Sequence, residues 1–488
     1  MTRNTARLSL GREALVALVA KFFVALTGFV GVVVFARVLG VDGVGKYYFI
    51  LAGAKLATQV TSGINDAIKK RVSEIDVAPE EYLGLGLVTN TAFVAVVAAV
   101  LWAALPLLRE YFGPPVFVLG LVAILGSLSL FALANRVYAG IGHPGASFWV
   151  DSLRSVLTLA AQMAFLVSGF FVVGLIFGLV SATIASAAVA LLLAGVRPSL
   201  PSRETARNTA VFAKSIVPTY LMQNLYSRLD VLLLYVVVGS SAAGLYEPAL
   251  RLTVPAVFIA SSINDSLSVK ASGLHSLDES VVEDLRNSLS YTALFAVPVF
   301  FGATAIPELL MGTVYGPDFR DGALALVGLG LFQVFNTYRK PFNSVIYGMD
   351  RPDLLLRVST LTLLVNVPLA VVLGFEYGLV GVVAATVVSE AVRVVTYLVV
   401  AHRLFDQVLL PRPVLHQFVA GAGMFGAVEG MTRLLDVPAG WPWLLSVVGF
   451  GAATYFALLT LISGHFRLTV REVLGPVVRN VRSAVAER

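Results

Sequence analysis

Apolar residues run through the chain in blocks, separated by short segments that carry most of the charge. A helix needs about 20 mostly apolar residues to cross a bilayer. Fourteen stretches meet that length: 14–35, 44–68, 83–106, 116–138, 149–168, 171–194, 212–236, 244–268, 289–306, 322–346, 354–374, 378–400, 414–432 and 441–462. The pattern predicts an all-α polytopic membrane protein with about 14 transmembrane helices. The second, seventh, eighth and tenth stretches also carry polar residues, so their hydropathy signal is weaker. The fifth and sixth are joined by little more than Gly169 and Phe170, which predicts a tight hairpin. The first stretch follows Arg3, Arg7 and Arg12, but it is too long, and lacks the small-x-small cleavage region, for a signal peptide. A start-transfer helix is expected there.

Composition sharpens this picture. Of 488 residues, 58% are hydrophobic and 13% charged, about half the charged share of a soluble domain. Cysteine is absent, which excludes disulfide staples and cysteine-ligated metal. The connecting segments are about 15–25 residues at most, too short for a soluble catalytic domain. No GxxxxGK[ST] loop occurs.

Lysine and arginine set the orientation. On one side the tails and loops hold 20 basic residues, including Arg3, Lys69, Lys70, Arg71, Arg136, Arg197, Arg351 and Arg403. The other side holds four: Arg37, Arg109, Arg320 and Arg433. Fourteen spans with both termini cytoplasmic fit that asymmetry, and the formal +6 charge needs no nucleic-acid partner.

The chain repeats itself. Arg37–Asp66 and Val236–Asp265 are identical at ten of thirty positions at an offset of 199, including Gly40/Gly239, Gly45/Gly244, Tyr47/Tyr246 and the shared Ile-Asn-Asp. A second echo at an offset of 208 matches Asn135, Gly140 and Pro144 with Asn343, Gly348 and Pro352. The offset spans six helices, an even number, so both copies have the same orientation. This predicts two six-helix lobes, 1–200 and 201–405, followed by a helix pair and a basic tail, 406–488. Paired lobes enclose a cavity that rocking motions open to each side in turn.

Ionisable groups inside spans are costly and point to a cavity or a partner. Arg154 and Arg393 have acids at i−3, Asp151 and Glu390, which predicts local ion pairs. Lys46, Lys214 and Arg357 lie near span ends, where long side chains reach the interface. Lys21 and Lys55 lie deeper, without an acid at i±3 or i±4. Together with Arg228, Arg251, Arg339 and Lys340 they form a candidate basic patch. Such a patch suits a phosphate or pyrophosphate, whose oxygens accept several charge-assisted hydrogen bonds. Charge reversal at Arg228 or Arg339 is expected to hurt transport more than folding.

Four acids are candidates for coupling or gating: Asp66, Asp230, Glu247 and Asp265. Asp66 and Asp265 end the two repeat copies, where gate or capping contacts are expected. Asp230 is the candidate for proton or sodium coupling, and Glu247 sits four residues before Arg251. Tyr220, Tyr226, Tyr235 and Tyr338 could stack on sugars, while Trp102, Trp441 and Trp443 sit near span ends as interfacial anchors do. The five histidines form no metal-ligand set and no nucleophile elbow occurs, so neither an enzyme nor a cofactor is expected.

The segments Phe35–Tyr47 (FARVLGVDGVGKY), Asp230–Gly239 (DVLLLYVVVG) and Ala243–Ala249 (AGLYEPA) resemble the polysaccharide biosynthesis flippases of the multidrug/oligosaccharidyl-lipid/polysaccharide exporter superfamily, which are Wzx-like with a MATE-like fold. The resemblance covers essentially the whole chain. It implies movement of a polyprenyl- or dolichyl-(pyro)phosphate-linked oligosaccharide to the outer leaflet of the cell membrane, for surface polysaccharide assembly or protein glycosylation. It also implies a central basic cavity for the head group, with membrane lipids and glycan-assembly enzymes as partners. With 8 Lys against 27 Arg, the composition suggests a GC-rich genome, such as that of a haloarchaeon. The rival readings are a cation-coupled multidrug exporter of the same fold, a peptidoglycan-precursor flippase, and a non-transporting scaffold for glycan assembly. A drug exporter favours an acidic cavity, and here in-span bases outnumber in-span acids.

Overall fold

In a computed structural model the described residues are 10–74, 77–277, 279–407, 409, 411–435, 440–469 and 471, and they are helical with short connections. In chain order the helices are α1 (Leu10–Val72), α2 (Pro79–Ala103), α3 (Leu105–Phe112), α4 (Pro115–Gly140), α5 (Pro144–Val167), α6 (Phe171–Ala194), α7 (Arg203–Val237) and α8 (Ser240–Leu252). They continue as α9 (Phe258–Ser276), α10 (Val282–Thr292), α11 (Ala296–Ala305), α12 (Pro307–Tyr315), α13 (Ala323–Gly348), α14 (Pro352–Phe405), α15 (Arg412–Leu435) and α16 (Trp441–Ile462).

Among the described residues, eight helices are long and apolar enough to cross a membrane. A ninth results if Ser240–Leu252 and Val254–Ser276, bent by 47°, count as one span. Two of the eight hold two sequence stretches each. The helix Val24–Val72 has 49 residues and Pro352–Phe405 has 54, about twice what a bilayer needs. Each breaks at one glycine with non-helical backbone: Gly40 at φ 66° and Gly378 at φ 59°. Positive φ is easy only for glycine, so the break falls where the side chain is missing. The hairpin expected at Gly169 is present, with Gly169 at φ 83° between α5 and α6. Helices α7, α13 and α15 fall outside the eight because polar and charged residues interrupt their apolar character.

The chain divides into two compact units, Met1–Glu247 and Pro248–Arg488. In the first, Ile68, Leu83, Ala134, Val137, Val150, Ala187 and Ala190 are buried in one core. In the second, the core includes Leu267, Leu285, Phe342, Val345, Val358, Val394 and Tyr397. These two sets correspond one to one, at offsets of 199, 202, 207 or 208 residues.

A glycine contact repeats in the same register. A Cβ on Gly140 would stand 3.0 Å from the Lys69 carbonyl oxygen and press on Val72. A Cβ on Gly348 would stand 2.8 Å from the Ser268 carbonyl oxygen and 2.7 Å from the Ala271 Cβ. Gly140 and Gly348 are 208 apart, and Lys69/Ser268 and Val72/Ala271 are each 199 apart. Alanine at Gly140 or Gly348 is therefore expected to lower stability by similar amounts, about 1–3 kcal/mol each. Thermal unfolding of the purified variants checks this; a large loss at one site with none at the other would contradict the equivalence.

Candidate functional site

The first unit buries a polar cluster where α1, α2 and α4 meet. Asn90 Nδ2 donates to Asn65 Oδ1 at 3.1 Å and to the Ser129 carbonyl at 3.3 Å, and the Thr61 and Ser129 hydroxyls are 2.8 Å apart. Asn65 and Thr61 have no exposed surface. One residue further along α1, Asp66 pairs with Arg136 Nε at 2.8 Å and accepts a hydrogen bond from the Tyr220 hydroxyl of α7. Asp66 is thus a carboxylate that ties α1, α4 and α7 of this unit together.

The second repeat copy behaves differently at this point. Asn264, the counterpart of Asn65, receives a hydrogen bond at its carbonyl from the Ser344 hydroxyl at 2.9 Å. Asp265 lies in α9, but its side chain lies outside the described residues. The same holds for Lys21 in α1 and Tyr226 in α7.

Asp230 is buried near the end of α7, where its Oδ2 accepts from the Tyr246 hydroxyl of α8 at 2.8 Å. Glu247, the next residue after Tyr246, is 2% exposed. Lys55 and Arg228 are half-buried in α1 and α7, and Arg251 is half-buried in α8.

The α1 and α8 copies of the repeat touch reciprocally. A Cβ on Gly45 would lie 1.9 Å from the Ser240 carbonyl oxygen, and one on Gly244 would lie 1.9 Å from the Val41 carbonyl oxygen. Val41 and Ser240 are themselves equivalent at the offset of 199. Residue i of one segment meets residue j of the other, and j meets i, so this local contact is reciprocal. Beside this crossing Asp42 Oδ1 accepts from the Ser240 and Ser241 hydroxyls at 2.9 and 2.6 Å.

The second unit contains a hydrogen-bonded ladder running through its interior. Gln333 Nε2 donates to Thr253 Oγ1 at 3.0 Å, and Asn336 Nδ2 donates to Gln333 Oε1 at 2.8 Å. Arg339 Nη2 donates to Asn336 Oδ1 at 2.6 Å, and its Nε donates to Glu390 Oε1 at 2.5 Å. Arg393 Nη1 stands 3.3 Å from Glu390 Oε2, while its Nε donates to Thr362 Oγ1 at 3.0 Å. Spacing on α13 explains half of this: positions 333, 336 and 339 recur at i,i+3 and share a face. The folding back of α14 at Gly378 explains the rest, since it brings Thr362 opposite Arg393.

Lys340 turns to another neighbour and donates to the Ser261 hydroxyl of α9 at 2.7 Å. Adjacent residues on a helix point about 100° apart, so Arg339 and Lys340 serve different contacts. The ion pairs read from i,i+3 spacing are present: Arg154–Asp151 at 2.8 Å and Arg393–Glu390 at 3.3 Å. Sequence reasoning missed the second arginine on Glu390, because Arg339 and Glu390 are 51 residues apart. The one available signal was that both lie on polar faces of otherwise apolar stretches.

The model of the family described as "Polysaccharide biosynthesis protein" matches residues 10–267, more than half of the chain. The chain belongs to this family. It is 25% identical over 458 residues to a protein named probable flippase AglR of Haloferax volcanii, covering 91% of this chain and 95% of that relative. It is 24% identical over 394 residues to the probable low-salt glycan biosynthesis flippase Agl15 of the same organism, covering 80% and 83%. Among solved structures, lipid II flippase MurJ in an inward closed conformation superposes with a TM-score of 0.76 over 94% of this chain and 100% of that one, at 14% identity. At that identity the likeness is one of fold.

Proposed function

We propose that this chain is a flippase that moves a polyprenyl- or dolichyl-(pyro)phosphate-linked oligosaccharide from the cytoplasmic to the outer leaflet by alternating access. The observation that carries the reading is the near full-length likeness to the probable flippases AglR and Agl15 of Haloferax volcanii. Membership of the polysaccharide biosynthesis family and the MurJ-like fold are in keeping with it.

In this reading the cargo's phosphate is held by basic residues inside the membrane: Lys21, Lys55, Arg228, Arg251, Arg339 and Lys340. Guanidinium groups suit the task because they can meet phosphate oxygens with two parallel hydrogen bonds. No covalent step is needed; binding energy shifts the balance between two conformations. Asp66, Asp230, Glu247 and Asp265 serve as coupling or gating groups, with Asp66 and Asp265 at the gate and Asp230 as the site of proton or sodium coupling.

The proposed architecture has fourteen spans, with both termini cytoplasmic, in a cell membrane. Lobes 1–200 and 201–405 are followed by a helix pair and tail, 406–488. The matched cores and the repeated glycine contacts support an internal duplication of this kind. Glycan-assembly enzymes are the proposed protein partners.

Proteoliposomes test the function. Extracted lipid-linked glycans are loaded, and their exposure to a membrane-impermeant glycan-modifying reagent is followed. Protein-dependent transfer of glycolipid, without comparable movement of a cationic dye, is expected. Dye movement without glycolipid movement would favour a drug exporter, and movement of neither in correctly inserted protein would favour a scaffold. Imposed pH or sodium gradients then read the coupling.

A further inference from the structure

Glu390 has no exposed side-chain surface, yet two guanidiniums converge on it. Arg339 binds one carboxylate oxygen at 2.5 Å and Arg393 stands 3.3 Å from the other. The two arginines are not equivalent. Arg393 is 7% exposed and is also held on Thr362 of its own helix, whereas Arg339, also held on Asn336, is 17% exposed and is the less buried of the two. Together these three groups carry a single net positive charge.

Removing one partner of a buried ion pair is normally prohibitive, because it strands a charge away from water. Here that objection is weakened. If Arg339 turns away, Glu390 still holds Arg393, so the carboxylate stays compensated. A phosphate meets the same donors that a carboxylate does, with charge-assisted hydrogen bonds of the same geometry. We infer that Glu390 is a positioning residue that occupies Arg339 in place of the cargo phosphate and yields it when cargo arrives, with Arg393 as the partner that Glu390 retains. Arg339 is then the exchanging cation, and Glu390 sets how tightly the phosphate is held and how readily it leaves. The inference rests on the flippase reading, since it takes a lipid phosphate as the competing ligand.

Binding of farnesyl phosphate, with farnesol as the uncharged control, tests it on the purified full-length protein in detergent. The wild-type protein is expected to prefer the phosphate. Glu390→Gln removes the competitor's charge and is expected to tighten farnesyl phosphate binding about tenfold, leaving farnesol binding unchanged. Arg393→Gln removes the retained partner, commits Arg339 to Glu390, and is expected to weaken phosphate binding by about the same factor. Should Glu390→Gln fail to fold, Glu390→Asp draws the carboxylate back by one methylene and is expected to tighten phosphate binding to a smaller degree.

A folded Glu390 variant with unchanged or weaker phosphate affinity overturns the exchange. Equal changes for phosphate and alcohol also overturn it, as they mark a structural role. A wild-type protein without preference for the phosphate overturns the phosphate cargo itself and the exchange with it. A wild-type preference that Glu390 variants leave untouched overturns the exchange alone.

Discussion

Alanine at Gly45 is expected to lower the stability of the protein by about 3 kcal/mol, the upper end for overpacking in a tight interior. The added Cβ would stand 1.9 Å from the Ser240 carbonyl oxygen, 2.8 Å from its carbon and 3.0 Å from the Gly244 nitrogen. All three are backbone atoms, so no side-chain rotation relieves the clash and the two helices must move apart. Gly244→Ala is expected to cost a similar amount, because its Cβ meets the Val41 carbonyl in the reciprocal way. The double variant should cost less than the sum, since one separation relieves both clashes. Gly28→Ala is the internal control: nothing lies within 4 Å of its Cβ position. In a helix that change should be neutral or stabilising by up to about 1 kcal/mol. Thermal unfolding in detergent reads the four variants against the wild type. Wild-type stability of Gly45→Ala would mean that this crossing does not form.

The second large effect is expected at Arg339. Charge reversal there, Arg339→Glu, places a second carboxylate against Glu390, which has no exposed surface. Arg393 alone would then face two acids in a low-dielectric interior. Breaking a buried pair costs about 3–5 kcal/mol, and like charges add to it. The protein is expected to lose folded yield as well as glycolipid transfer. Arg339→Gln is expected to be far milder in stability, because Arg393 remains on Glu390, yet still to impair transfer. The ion pair changes the expectation drawn from sequence, under which reversal at Arg339 would spare folding. At Arg228, half-buried in α7, reversal is still expected to reduce transfer more than stability. Unfolding temperature and leaflet transfer, measured on the same preparations, separate the two positions. Equal thermal stability of Arg339→Glu and Arg339→Gln would contradict the role given to Glu390.

Much of the site was legible wherever the contact is local. Arg154 with Asp151, and Arg393 with Glu390, follow from helical spacing, because i and i+3 side chains share a face. Gly40 and Gly239 recur at one offset, and both have positive φ, 66° and 124°, which a shared glycine makes available. Distant contacts were not legible. Nothing in the order of residues says that Arg339 meets Glu390, that Asp42 receives the Ser240 and Ser241 hydroxyls, or that Tyr220 donates to Asp66. Each depends on which helix faces which, and many helix pairings satisfy the same apolar pattern.

The sequence by itself determined the solvent and the secondary structure. Its apolar blocks of about 20 residues have the length of bilayer-spanning helices, in which every backbone group is hydrogen-bonded within its own segment. It also carried the recurrence of residues at an offset of 199, which is readable in linear order whatever the packing. The tertiary structure decided which polar residues share a network. It drew Gln333, Asn336, Arg339, Glu390, Arg393 and Thr362 into one ladder and sent Lys340 to Ser261 instead. The physical reason is that hydrophobicity is non-directional and readable one residue at a time, whereas a hydrogen bond needs two groups about 3 Å apart. That distance exists only once the helices have packed.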